Sequence, residues 1–153
     1  ANTTGTDTYG PHNMTMFAYA CIDIMHSPDF DKTDLTALRD TIWDVQRLAR
    51  IGNWVTTWER EIHEGDYTAG VVVEALTNDV ITVEELESDT VSNEKLIERI
   101  HDAGIEQEYL DEWDTLYESL IKTDFNTESV DIESYVKGMK QVRELHLSSR
   151  GRK

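Results

Sequence analysis

The chain is short of the residues that interrupt or staple a fold. Two prolines and eight glycines stand among 153 residues, so long stretches run without a helix breaker. A single cysteine, Cys21, rules out an internal disulfide. Between Ala20 and Ile22 it reads as a small buried hydrophobe, suited to a reducing cytoplasm. No apolar run reaches the length of a membrane span, and the first ten residues lack the basic-then-apolar pattern of a signal peptide, so a soluble chain without membrane insertion is expected. Internal repeats are absent, which excludes a solenoid. Basic residues are scarce too: 14 against 31 acidic ones, for a net charge of −17. Such a surface opposes nucleic acid and anionic membranes as general partners, and a phosphate ligand would have to be met by local cations.

What is present points to helices. Leu, Ile and Val recur at intervals of three and four, and the length suits one domain with a core, so the expected class is all-α. Abundant threonine and rare lysine beside this acidity are shared by proteins of salt-loving organisms and by ordinary acidic enzymes. Residues 1–11 show no periodicity. Residues 13–26, with Met14, Phe17, Ala18, Cys21, Ile22 and Met25, predict a helix packed on a core that ends before Ser27 and Pro28. Thr33 is the expected N-cap of a long helix over 33–64, with Leu35, Leu38, Ile42, Val45, Ala49, Gly52, Val55 and Ile62 on one stripe. Gly65 and Asp66 end it. A short helix over 69–76, a turn over 82–86 and helices over 93–103, 105–121 and 129–147 follow, with Asn93, Ser129 and Asp131 near helix starts as caps.

On the long helix, Asn53, Thr57 and Glu61 stand at i, i+4 and i+8, each about 40° round and about 6 Å further along than the one before. Side chains lean toward the helix N-terminus, so Glu61 reaches back toward Thr57 and Asn53. Three hard oxygen donors then face one ion. Magnesium prefers such donors and keeps waters or phosphate oxygens in its other positions; with one charged ligand in three, it retains positive charge for a diphosphate. Arg60 precedes Glu61 and suits phosphate oxygens. Taken alone, the same residues also read as a solvated helix face.

The longer string over residues 51–66, IGNWVTTWEREIHEGD, resembles the second metal motif of class I terpene synthases. In that family the Asn, Ser or Thr, and Glu bind one magnesium, a basic residue often precedes the Glu, and a Gly-Asp pair follows. The resemblance implies the C-terminal half of an all-α bundle of the class I isoprenoid (terpene) synthase type, spanning residues 1–153. It implies a terpene cyclase that ionises a linear prenyl diphosphate with magnesium, or manganese in its place, cyclises the carbocation and releases diphosphate. Asn53, Thr57 and Glu61 would hold the metal, and Arg60, Arg150 and Arg152 would meet the diphosphate. Thr3, Thr4 and Gly5 look like the segment before a kinked helix whose glycine carbonyl faces the ionising substrate, which makes Gly5 the catalytic carbonyl. Met14, Phe17, Tyr19 and Cys21 would wall the pocket, although each also reads as core packing.

Three positions depart from the family: Trp54 replaces the usual Asp, Ala69 a frequent Asn, and Lys153 a terminal Tyr. The family's aspartate-rich first motif is missing, and Asp29, Asp31 and Asp34 read instead as capping and solvent-facing residues of a turn. The expectation is that Ala1 falls in the middle of a longer protein, whose N-terminal half with that motif lies in a separate chain or was removed. A homo-oligomer is left open. Trp43, Trp54, Trp58 and Trp113 read as core or interface, and the five histidines as caps or surface groups without metal spacing. Two rivals remain: a non-catalytic acidic helical interaction module, and a prenyl-chain-elongating enzyme, which would need two aspartate-rich motifs where none is visible.

Overall fold

A computed structural model of the chain describes residues 3–88 and 90–150. Among these the architecture is all-α, with no strand. In chain order the helices are α1 (Thr3–Tyr9), α2 (Met16–His26), α3 (Leu35–Glu64), α4 (Gly70–Thr77), α5 (Val83–Glu87), α6 (Asn93–Asp102), α7 (Ile105–Ile121) and α8 (Ile132–Ser148), with 3₁₀ turns at Gly10–Met14 and Lys32–Asp34. None of the described helices is long and apolar enough to cross a membrane.

The long helix α3 is the axis on which α7, α8 and α4 pack. Its C-terminus closes as the sequence predicts. Gly65 adopts φ 74°, and the Asp66 N–H returns to the Glu61 carbonyl at 2.8 Å, which satisfies an orphaned end group. At the other end Asp31, rather than Thr33, caps the entering turn, accepting from the Thr33 N–H at 2.8 Å and its hydroxyl at 2.7 Å. Three tryptophans fill the core with no exposed surface or almost none: Trp54 and Trp58 from α3, and Trp113 from α7, whose indole N–H reaches the Leu48 carbonyl at 3.1 Å. Two glycines make room for this packing. A Cβ on Gly70 would lie 2.6 Å from the Trp54 ring, and one on Gly52 would lie 2.8 Å from Nδ1 of His146, so α4 and α8 approach α3 more closely than a side chain would permit.

Several expectations give way. The aperiodic start forms α1, which packs against α4; seven residues are too few for periodicity to register. The predicted 13–26 helix is divided, because Thr15 takes a left-handed φ of 57° and separates the Gly10–Met14 turn from α2. The 82–86 turn is the short helix α5, held by a reciprocal capping box between Thr82 and Glu85. Asp131 caps α8 through the Ser134 N–H at 2.9 Å, as expected, whereas Ser129 serves Asp34. Leu35 is on the predicted stripe yet half exposed. Cys21 is exposed, contrary to its reading as a buried hydrophobe. The reason lies in α2, which carries apolar residues on more than one face but packs on the core through Met16, Phe17, Ala20 and Ile24, leaving Cys21, Tyr19, Ile22 and Met25 outside beside Asp23.

Candidate functional site

The C-terminal half of α3 presents Asn53, Thr57 and Glu61 as one row, since the helix runs unbroken from Leu35 to Glu64. The row is recessed: Asn53 is half-buried, Thr57 is buried, and the Glu61 side chain retains 16% of its exposure. Thr57 donates its hydroxyl proton to the Asn53 main-chain carbonyl at 2.9 Å, which fixes its rotamer and leaves oxygen lone pairs to act as an acceptor or ligand. Arg60 lies 4.0 Å from Glu61 and leans toward Glu64 at 3.3 Å; with its side chain 42% exposed, these contacts hold it loosely.

One residue of this face was missed by sequence reasoning. Arg50, three residues before Asn53 and so about 60° from it round the helix, donates from Nη1 to Asn53 Oδ1 at 3.2 Å. The i, i+3 spacing was the available signal. Its guanidinium carbon lies 5.2 Å from the centre of the Trp54 ring, and its Nε is buried without a hydrogen-bond partner among the described residues. Burial pushes the Arg50 guanidinium below its ordinary pKa, and the negative charges of Glu61 and Asp66 oppose that shift. Trp54, the departure from the family pattern, therefore supports this cation: its ring also lies 5.4 Å from the Arg47 guanidinium and meets Tyr109 edge-on at 5.5 Å. Asp66 shapes the loop into α4 by accepting from the Thr68 N–H at 3.0 Å and its hydroxyl at 2.7 Å.

The opposite face of α3, about 160° from Glu61, carries a second charged group. Arg150 donates to Glu59 at 3.0 Å and to Glu106, with Nη1 to Glu106 Oε1 at 2.9 Å. Trp58 adds its indole N–H to Glu106 at 2.8 Å, and the His101 ring meets Glu59 at 2.9 Å. Burial is the strongest single influence on Arg150 and lowers its pKa, but hydrogen bonds and charge from Glu106, then Glu59, together leave it above its ordinary value. Glu59, His101 and Glu106 offer ligand atoms within 4.8 Å of one another, a grouping the histidine spacing did not reveal. The carboxylates already face an arginine, an imidazole and an indole N–H.

The predicted diphosphate ligand Arg150 is thus not brought to the row; its two carboxylates tie the end of α8 to α3 and α7. Arg152 lies outside the described residues. Gly5 sits within α1, on the α4 side of the molecule. Of the predicted pocket wall, Met14 and Phe17 are half-buried against the core, Phe17 beside Trp43 at 6.0 Å, while Cys21 is exposed. Tyr19 alone among the four lines a groove of about 410 Å³ between α2, the start of α3 and α8, which Leu38 and Ile42 also line. Ile42 precedes Asn53 by eleven residues, or about 16 Å of helix, so groove and row are separate places. Asp31 and Asp34 are structural, as expected. Asp34 is buried at 3% exposure rather than solvent-facing, and accepts from the Ser129 N–H and hydroxyl, each at 2.7 Å, and from the Glu128 N–H.

As a donor set for magnesium, the row offers a carboxamide oxygen, a hydroxyl and a carboxylate, all hard oxygens, with the carboxylate held by one arginine at 4.0 Å. That chemistry fits the ion, provided Asn53 Oδ1 exchanges its arginine donor for it. The chain matches no protein-family profile, no curated protein and no solved structure.

Proposed function

We propose that this chain supplies one metal-binding wall of a class I terpene cyclase, with Asn53, Thr57 and Glu61 as the protein ligands of a magnesium or manganese ion. The observation that carries the reading is the recessed row of three oxygen donors on one helix face, with Arg60 beside it and, among the described residues, no ion pair on Glu61 closer than 4.0 Å. A divalent ion there supplies positive charge to a diphosphate leaving group. The chain's own residues orient and neutralise. Glu61 provides the single ligand charge, the Thr57 rotamer is set by its bond to the Asn53 carbonyl, and Arg60 can turn from Glu64 to donate paired hydrogen bonds to phosphate oxygens.

The substrate class on this reading is a linear prenyl diphosphate, ionised to an allylic cation that apolar walls shield from water. The facing wall belongs to an N-terminal half with the aspartate-rich motif. The outer side of α2, with Tyr19 62% and Met25 82% exposed, suits a partner surface. The same exposed face favours a second reading, an acidic helical interaction module without catalysis.

The test combines the chain with the N-terminal half and measures diphosphate release from a prenyl diphosphate as magnesium is varied. Glu61→Gln should abolish or sharply weaken the magnesium response. An unchanged response removes Glu61 from the site, and tight association of the halves without any turnover favours the interaction module.

A further inference from the structure

We infer that the Arg50 guanidinium is a built-in cation of the Asn53, Thr57 and Glu61 row, and that a divalent metal must displace it to bind. The inference rests on the metal-binding reading of the row and adds to it a competitor supplied by the same helix. Its basis is geometric. Arg50 Nη1 already occupies the Asn53 carboxamide oxygen at 3.2 Å, the atom the row would offer a metal. The guanidinium is braced in that place by the Trp54 ring at 5.2 Å, and its Nε lies close to Gly10, where an added Cβ would sit 3.8 Å away. The charges of Glu61 and Asp66 both act on it, and Arg60 is a second cation near Glu61, at 4.0 Å.

A cation so placed opposes a metal in two ways. It draws on one of the two lone pairs of the Asn53 carboxamide oxygen, and it offsets the charge of the row's one anionic ligand, Glu61. The buried Nε, without a partner among the described residues, marks the cost of this arrangement: part of the guanidinium has lost water and gains no hydrogen bond from those residues in return. An arginine serving only as packing would show the opposite response to removal, because a loosened site binds metal less well.

The experiment titrates the chain with Mn2+ at about 0.1 M salt, following free ion by electron paramagnetic resonance, for wild type, Arg50→Met and Arg50→Gln, each with and without Glu61→Gln. Glu61 dependence separates the row from other carboxylates of an acidic surface. Methionine keeps an unbranched stem against Trp54 without the charge, so a folded variant is available if glutamine is not tolerated. The expected result is a Glu61-dependent site about tenfold tighter in Arg50→Met than in wild type, the order that removal of one nearby charge produces. A Glu61-dependent site of equal or weaker affinity in both Arg50 variants overturns the inference and leaves the reading of the row standing. Absence of any Glu61-dependent Mn2+ binding, in wild type and variants alike, overturns both.

Discussion

Glu59 and Glu61 stand two residues apart on α3 and meet opposite surroundings. Glu59 belongs to a closed group in which Arg150, His101, Glu106 and Trp58 exchange hydrogen bonds across three helices. Glu61 belongs to an open one: one arginine at 4.0 Å, a threonine with its proton turned to the backbone, and an asparagine whose oxygen is held by Arg50. Both groups contain carboxylates and arginines. What separates them is how far the described residues already satisfy each: the first group's carboxylates face an arginine, an imidazole and an indole N–H, whereas Glu61 faces one arginine at 4.0 Å. The closed group is a tertiary clasp.

That contrast can be broken in several ways. The largest effect is expected from Trp54→Ala, which empties a fully buried site between α3, α4 and α7 and removes the brace of Arg50; a loss of about 3–5 kcal/mol in denaturant unfolding is expected. Gly70→Val drives a side chain into the same ring and should cost about 1–3 kcal/mol by overpacking, read in the same unfolding curves. Arg150→Met opens the clasp and leaves Glu106 without its cation. Because Arg150 is one-third exposed, solvent screening limits the loss to about 1–2 kcal/mol, and Mn2+ binding by the row should be unchanged. Glu61→Gln is its mirror image: a stability change within about 0.5 kcal/mol, with metal binding lost. If Arg150→Met weakens metal binding instead, the two faces are coupled and the contrast fails.

Acid provides the gentlest probe. Asp34 is held below its ordinary carboxylate range, first by the Ser129 hydroxyl and then by the Ser129 N–H, and Asp131 likewise by Ser134. A depressed folded pKa means stabilisation that is full above the unfolded value and lost as pH falls through the folded one. Thermal melts should therefore decline as pH drops below the ordinary Asp value of 3.8, and Asp34→Asn should flatten that decline while lowering the melting temperature at pH 7. An unchanged acid profile in Asp34→Asn would show that other carboxylates carry it.

Much of the frame was legible in the residues. The span of α3 follows from apolar period and the glycine that ends it, Gly65, and the Asn53, Thr57 and Glu61 row follows from helix geometry alone. The closed group was not legible, because Glu59, His101 and Glu106 come from three helices and Arg150 from the segment after α8, and no spacing joins them. Arg150 was misplaced for that reason: a basic residue near the chain's end carries no record of which face of α3 it reaches. Cys21 failed differently. Its apolar neighbours describe a helix that prefers burial, and the packed side of α2 is set by α3 rather than by the helix itself. Arg50 was within reach at i−3 from Asn53, yet its role depends on the Trp54 ring beneath it, which only the packing shows.

The central claim is that the open row holds a divalent ion through three side chains. Mn2+ titration of the chain and of Asn53→Ala, Thr57→Ala and Glu61→Gln tests it most directly. The account predicts one site that Glu61→Gln eliminates, that Thr57→Ala weakens, and that Asn53→Ala weakens less, since Arg50 already draws on that oxygen. Identical titrations for wild type and all three variants would contradict it.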